Sequence, residues 1–484
     1  MNDVSSVQNL AARRAEMEAI TEKEMTAKIL DIAWPATVEA VLQMMIGIIS
    51  SSLIGNYSTI AVGAVGFGQR ITRLAWGIFA AIGTGSTVMV ARSIGAGDQE
   101  RANSYAEQAI VLTAILISIV TAILFFFPAQ LVEVLYNRNG ELNPELVEAA
   151  VGYIRLTSWG VPLMSVMQVS GALMRGAGNT KVPMVAASVV NVCNAIFSFF
   201  LIFGNMGFPE MGLDGAGIAS NVAQLIGAII SIYILMKVQT NLQISFKGFR
   251  LMWSRIREVL DIGIPAAGEN LLMQFGQIAL AGLIGSMGVV ELAAHTQGVT
   301  AESISYMPSM GFSIAATSLV GMSVGVGSVK LSERYVKVLA KWNMILTACT
   351  ASLLIFFPKQ VFGLLSNEEA VVNIGVYYLI MMGFCQFPQQ LTGVLNGCLR
   401  GGGDTKATMF NSMVGLWFVR VPLSYLFVYM GWFGGGIISV WIAMSIDLFV
   451  RFFLAFFRYR RGLWKRTAMR IAGELDEPQP AHAS

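Results

Sequence analysis

The sequence predicts an all-α membrane protein, with twelve transmembrane helices in two pseudo-symmetric six-helix lobes. Composition is the first observation behind this: 55% of the 484 residues are hydrophobic, 13% are charged and mean hydropathy is +0.64. A soluble domain is about 25% charged. Length is the second: apolar runs of about 20 residues, enough to cross a hydrocarbon core, recur twelve times. Repetition is the third, because the last six runs carry the same polar landmarks as the first six.

Taken in order, residues 1–28 are charged and polar, too much so for a cleavable signal peptide, and are expected as a cytoplasmic amphipathic helix on the membrane surface. The spans run over about 29–54, 59–93, 105–127, 147–174, 182–204, 214–237, 261–286, 290–323, 336–357, 371–398, 407–430 and 435–457. They divide into an N-lobe (29–237), a cytoplasmic linker (238–260), a C-lobe (261–461) and a cytoplasmic tail (462–484). An even number of spans puts both ends on one side. Lys237, Lys247, Arg250, Arg255 and Arg257 in the linker, and Arg458, Arg460, Arg461, Lys465, Arg466 and Arg470 at the end, make that side cytoplasmic. The sequon Asn56-Tyr57-Ser58 sits in a turn too short to mean much.

At an offset of 230, Pro35 meets Pro265, Glu39 meets Glu269, and "SIGAG" (Ser93–Gly97) meets "SVGVG" (Ser323–Gly327). At an offset of 225, "LMRGAGNTKVPM" (Leu173–Met184) meets "CLRGGGDTKATM" (Cys398–Met409). Six spans separate the copies, so both keep one orientation. Parallel repeats with a site between them near the midplane are the plan of a secondary transporter. The "RG-G-(N/D)TK" segments do not fit GxxxxGK[ST] and follow no strand, so they read as tight cytoplasmic turns rather than phosphate loops. Cys193, Cys349, Cys385 and Cys398 lack metal or disulfide spacing, and no catalytic constellation appears with His295 and His482. No enzyme, cofactor, metal site or nucleic-acid partner is expected from this, the net charge being only +3.

Charges inside spans cost about 2.5–3.5 kcal/mol on insertion scales, so they pair, face the interior or act. Glu39, eleven residues past Lys28, and Glu269, twelve past Arg257, both lie roughly 16–18 Å along a helix. Each follows a proline that frees a carbonyl nearby. They are the ion-coupling candidates; the bland alternative is a hydrogen bond to a neighbouring helix. Asp447 and Arg451, four apart, share a face of span twelve, and with Arg420 midway along span eleven they read as a structural charge cluster. Arg70 and Arg73 in span two and Glu302 in span eight fall at one height by the repeat, as extracellular gate candidates or as independent residues reaching the headgroups.

The "VARSIGAGD" end of span two, the paired "RG-G-(N/D)TK" loops, "SMGFSIAATSLVGMSVGVG" and "RVPLSY…WIAMSIDLFVRF…FRYRRGLWK" resemble the multidrug and toxic compound extrusion (MATE) family, its DinF-like bacterial branch above all, over about residues 25 to 470. The resemblance implies a V-shaped two-lobe fold in the bacterial inner membrane. It also implies export of amphipathic compounds, drugs or natural products, by antiport with H⁺ or Na⁺. A monomer in contact with membrane lipid is expected. Where members of that branch carry aspartates in spans one and five, this chain has Ser50 and Ser198. With Gln43, Met44, Met45, Met164, Met167, Gln168, Asn194 and Gln274, these are the cavity-lining candidates, and they favour neutral or zwitterionic cargo over dications. The alternatives are a flippase for lipid-linked intermediates, which shares the two-lobe plan, and an ion channel or non-transporting receptor.

Overall fold

The computed structural model describes residues 2–55, 58–136, 144–237, 242–244, 249–366, 368–466 and 468–470, and among them there is no strand. The helices are α1 (Asn2–Glu18), α2 (Glu22–Gly55), α3 (Thr59–Ala96), α4 (Gln99–Phe126), α5 (Pro128–Tyr136), α6 (Pro144–Thr157), α7 (Gly160–Gly176), α8 (Lys181–Phe203) and α9 (Gly212–Lys237). They continue as α10 (Trp253–Gly285), α11 (Val289–Gly325), α12 (Val329–Phe356), α13 (Pro358–Gly363), α14 (Glu369–Gly401), α15 (Thr405–Met413), α16 (Val421–Tyr429) and α17 (Ile437–Arg461). A π-helical stretch, Val414–Arg420, joins α15 to α16 without a break. Nine span-length elements among the described residues are apolar enough to cross a membrane on composition alone. The other three of the twelve crossings are α2, α10 and the α6–α7 pair, interrupted at Ser158 and Trp159. In α10, Glu269, Asn270, Gln274 and Gln277 lower the hydropathy, and they are also the residues that line a cavity.

The chain forms two compact units. One, the C-terminal unit, holds Met1–Thr37, Ala91–Asp98 and Ile264–Ser484; the other, the N-terminal unit, holds Val38–Val90 and Gln99–Gly263. Three helices contribute to both units: the start of α2 and the end of α3 group with the C-terminal unit, and the first turns of α10 with the other. Packing explains why. Met25, Ile29, Ile32 and Ala33 share a core with Phe312, Leu319, Leu331 and Tyr335. At the end of α3 a Cβ on Gly95 would lie 2.1 Å from the carbonyl oxygen of Met322, and one on Gly325 would lie 2.1 Å from that of Arg92. Gly95 and Gly325 are repeat partners at the offset of 230, so the duplicated glycines let α3 and α11 cross at backbone contact. The turns Gly178 (φ +79°) and Gly403 (φ +81°), partners at the offset of 225, both need the left-handed region that glycine enters freely.

Helix α1 places part of its apolar side against protein. Leu10 and Met17 pack on the core of the C-terminal unit. Arg334 donates to the carbonyls of Glu18 and Ile20, both at 2.6 Å, and the Ser328 hydroxyl donates to the Glu18 carboxylate at 2.5 Å. The Ser328 hydrogen bond, followed by Arg14, outweighs burial and holds the Glu18 carboxyl below its ordinary value of 4.5. A depressed acid stabilises the fold above its unfolded pKa and loses that contribution as pH falls through the folded one. The difference in melting temperature between wild type and Glu18→Gln should therefore be present at neutral pH and close as the pH falls below the ordinary carboxylate range. A difference that stays constant down to acid pH would exclude the Ser328 bond as its source.

Candidate functional site

In the N-terminal unit, Glu39 on α2 is 5% exposed and its Oε1 accepts from the Arg175 guanidinium at 2.6 Å. Gln43, one turn on, donates to the same oxygen at 3.2 Å. The other carboxylate oxygen, Oε2, is buried with no hydrogen-bond partner among the described residues. In the C-terminal unit, Glu269 on α10 accepts from Arg400 at 2.8 Å. The same structure is thus built twice: a glutamate four residues past a proline holds the arginine of an "RG-G-(N/D)TK" segment. The glutamates match at the offset of 230 and the arginines at 225. Sequence reading gave those arginines only a topological role at a cytoplasmic turn. The structure instead puts both guanidiniums on buried acids, because an arginine in the last turn of a span can reach inward to neutralise an acid that water does not.

The two copies differ in how completely the acid is satisfied. Glu269 also accepts from Thr408 at 3.0 Å through Oε2 and from Ser412 at 2.9 Å through Oε1, so both its oxygens are engaged. At the offset of 225, Thr408 corresponds to Pro183 and Ser412 to Ala187, neither of which has a side-chain donor. That substitution accounts for the open oxygen of Glu39.

Glu269 lines a cavity of about 590 Å³ that lies wholly within the C-terminal unit, between α10, α11, α14, the π-helical stretch and α17. Its walls carry Glu302, His295, Arg400, Arg420 and Arg451, with Met273, Met310, Met382 and Met444 as the apolar part. Glu302 accepts from the Tyr378 hydroxyl at 2.6 Å and from Gln386 at 3.1 Å. Asp447, fully buried, accepts from Arg420 Nε at 2.7 Å and from Arg451 Nε and Nη2 at 2.6 and 2.8 Å. The π-helical stretch places Arg420 over Asp447, and π turns often sit at functional positions. His295 accepts from Trp441 Nε1 at 3.3 Å.

The remaining candidates are scattered. Gln274 lines the C-terminal cavity. Met44, Met164, Met167 and Gln168 are half-buried in the N-terminal unit, and Met167 packs so close to α9 that a Cβ on Gly227 would meet its sulfur at 2.7 Å. Met45 is exposed, and Asn194 and Ser198 are buried on α8. Arg70 and Arg73 are exposed on α3, whereas Glu302 is buried with Tyr378 and Gln386 as its partners. The side chain of Ser50, the residues Asn56 and Tyr57 of the sequon, Lys247 and His482 lie outside the described residues. Among the described residues no group of His, Cys, Asp and Glu could hold a metal ion.

Comparison with known proteins gives a consistent picture. The sequence matches the MatE family model over residues 35–200 and 265–426. It is 30% identical over 449 residues to a probable multidrug resistance protein NorM of Thermotoga maritima, covering 92% of this chain and 94% of the relative. An uncharacterized transporter, YisQ of Bacillus subtilis, is 26% identical over 92% of this chain and 96% of its own. The multidrug resistance protein MdtK of Edwardsiella ictaluri is 24% identical over 82% and 86%. The fold is that of a solved multidrug resistance MATE family transporter in an outward-facing conformation, with a TM-score of 0.83 and 20% identity over 93% of this chain and 96% of that one.

Proposed function

Since this chain belongs to the MatE family, we propose that it is a multi-pass inner-membrane exporter of small amphipathic organic compounds, driven by inward flow of H⁺ or Na⁺, with both termini in the cytoplasm. The observation that carries the coupling part of this reading is the half-satisfied carboxylate of Glu39. One oxygen is held by Arg175 and the other is open. A proton there would cancel the attraction to Arg175, and a sodium ion would find an anionic ligand beside a cation it must displace. In either case ion binding changes the energy of the pair, and a ligand shifts a two-state equilibrium only through such a difference. Glu269, with both oxygens engaged, is better suited to holding α10, α14 and α15 together.

Transport of ethidium into energised inverted vesicles tests the reading. Uptake should collapse with a proton uncoupler or require a sodium gradient; a flux indifferent to both gradients would mean a channel-like pathway instead. Glu269→Gln should slow uptake per folded molecule less than Glu39→Gln. A Glu269 variant that is the more uncoupled of the two would reverse the assignment.

A further inference from the structure

We propose that the cavity of the C-terminal unit is a binding site for zwitterionic compounds, taking the ligand's cation at Glu302 and its anion at Arg420. This deepens the export reading by naming a cargo class, and it rests on charges that the coupling argument leaves unused. Glu302 is 8% exposed, and the partners of its carboxylate, Tyr378 and Gln386, are neutral donors. Its carboxylate therefore has no positive counter-charge among those partners. Arg420 is 7% and Arg451 8% exposed, and they share the single carboxylate of Asp447. Two guanidiniums on one carboxylate leave one positive charge in excess, facing the same cavity.

These opposite charges form no ion pair with each other, the ion pairs of Arg420 and Arg451 being with Asp447. Buried charges normally find a counter-charge, since an uncompensated one is costly. Here the surplus charges of both signs line one space of about 590 Å³, within the range of small-molecule pockets. A molecule carrying both signs would neutralise both walls at once, whereas a pure cation or anion would leave one unpaired. Tyr306, Met310, Met382 and Met444 give such a molecule an apolar body to lie against.

Binding of phenylalanyl-phenylalanine to the purified protein, by calorimetry at pH 6.5, tests this. At that pH an α-amine of pKa about 7.7 is protonated. The dipeptide should bind at least about tenfold more tightly than its methyl ester, which keeps only the cation, and its N-acetyl derivative, which keeps only the anion, because each derivative leaves one wall without its counter-charge. Glu302→Gln should abolish the dipeptide's advantage over its N-acetyl derivative, which should still bind at least as tightly as to wild type; that retained binding also shows that the variant is folded. The proposal is overturned by undetectable dipeptide binding to wild type, by a methyl ester that binds as well as the dipeptide, or by a folded Glu302→Gln protein that keeps the wild-type preference. No gradient enters this measurement, so its failure would leave the vesicle test of export untouched.

Discussion

Glu39→Gln is expected to abolish gradient-driven export while cargo binding survives, the largest functional effect expected from one substitution. The amide keeps the shape of the acid and can still accept from Arg175 through its oxygen, but it can neither lose a proton nor offer a charge to sodium. The side chain is 5% exposed and Arg175 sits 2.6 Å away, so the exchange also weakens a largely dehydrated ion pair. A stability cost of about 1–3 kcal/mol follows from that alone, and transport must be expressed per folded molecule. The double variant Glu39→Gln/Arg175→Gln removes both charges together. It should recover part of the lost stability and none of the coupling, because the proposed coupling group is the carboxylate. Export by Glu39→Gln at the wild-type rate per folded molecule would make the pair a strut and move the coupling site elsewhere.

Why the acid was visible and its partner was not is a matter of period and distance. A carboxylate inside an apolar helix stands out against its neighbours, and its recurrence at a fixed offset marks it twice. Arg175 and Arg400 each sit at the end of a span beside a glycine-rich turn, where the positive-inside rule already accounts for a basic residue. Only the fold brings the end of α7 to the middle of α2, and the end of α14 to α10. One signal was available: the glutamates and the arginines repeat together. Thr408 and Ser412 could not be singled out, since hydroxyls one turn apart are common in helices and most bond their own backbone. The sharing of α2, α3 and α10 between the units was also hidden, because hydropathy reports that a segment is apolar and not which neighbour it buries against. The cavity escaped for a related reason. Its residues come from separate segments, and few among them, such as Glu269, Gln274, Glu302, Arg420 and Arg451, were candidates in the sequence.

The largest structural effect is expected at Asp447, where Asp447→Asn removes the one anion that neutralises two buried arginines. Asp447 is fully buried and accepts three hydrogen bonds from Arg420 and Arg451. The site is tight enough that a Cβ on Gly415 would meet its Oδ1 at 2.1 Å, so the glycine in the π-helical stretch is what admits the carboxylate. An asparagine there offers one acceptor oxygen instead of two and turns an N–H toward guanidinium donors. It also raises the local charge from one surplus positive to two. Removing one partner of a buried ion pair costs about 3–5 kcal/mol, a large share of a typical stability of about 5–15 kcal/mol. The melting temperature of the detergent-solubilised protein should fall by on the order of 10 °C. Adding Arg451→Met to Asp447→Asn should restore part of that loss, since it returns the site to a single surplus charge and fills the space with an apolar chain. A simple packing defect would instead worsen with the second substitution. Retention of the wild-type melting temperature by Asp447→Asn would mean that the two arginines find other counter-charges, and the positive wall assigned to the cavity would then fall with it.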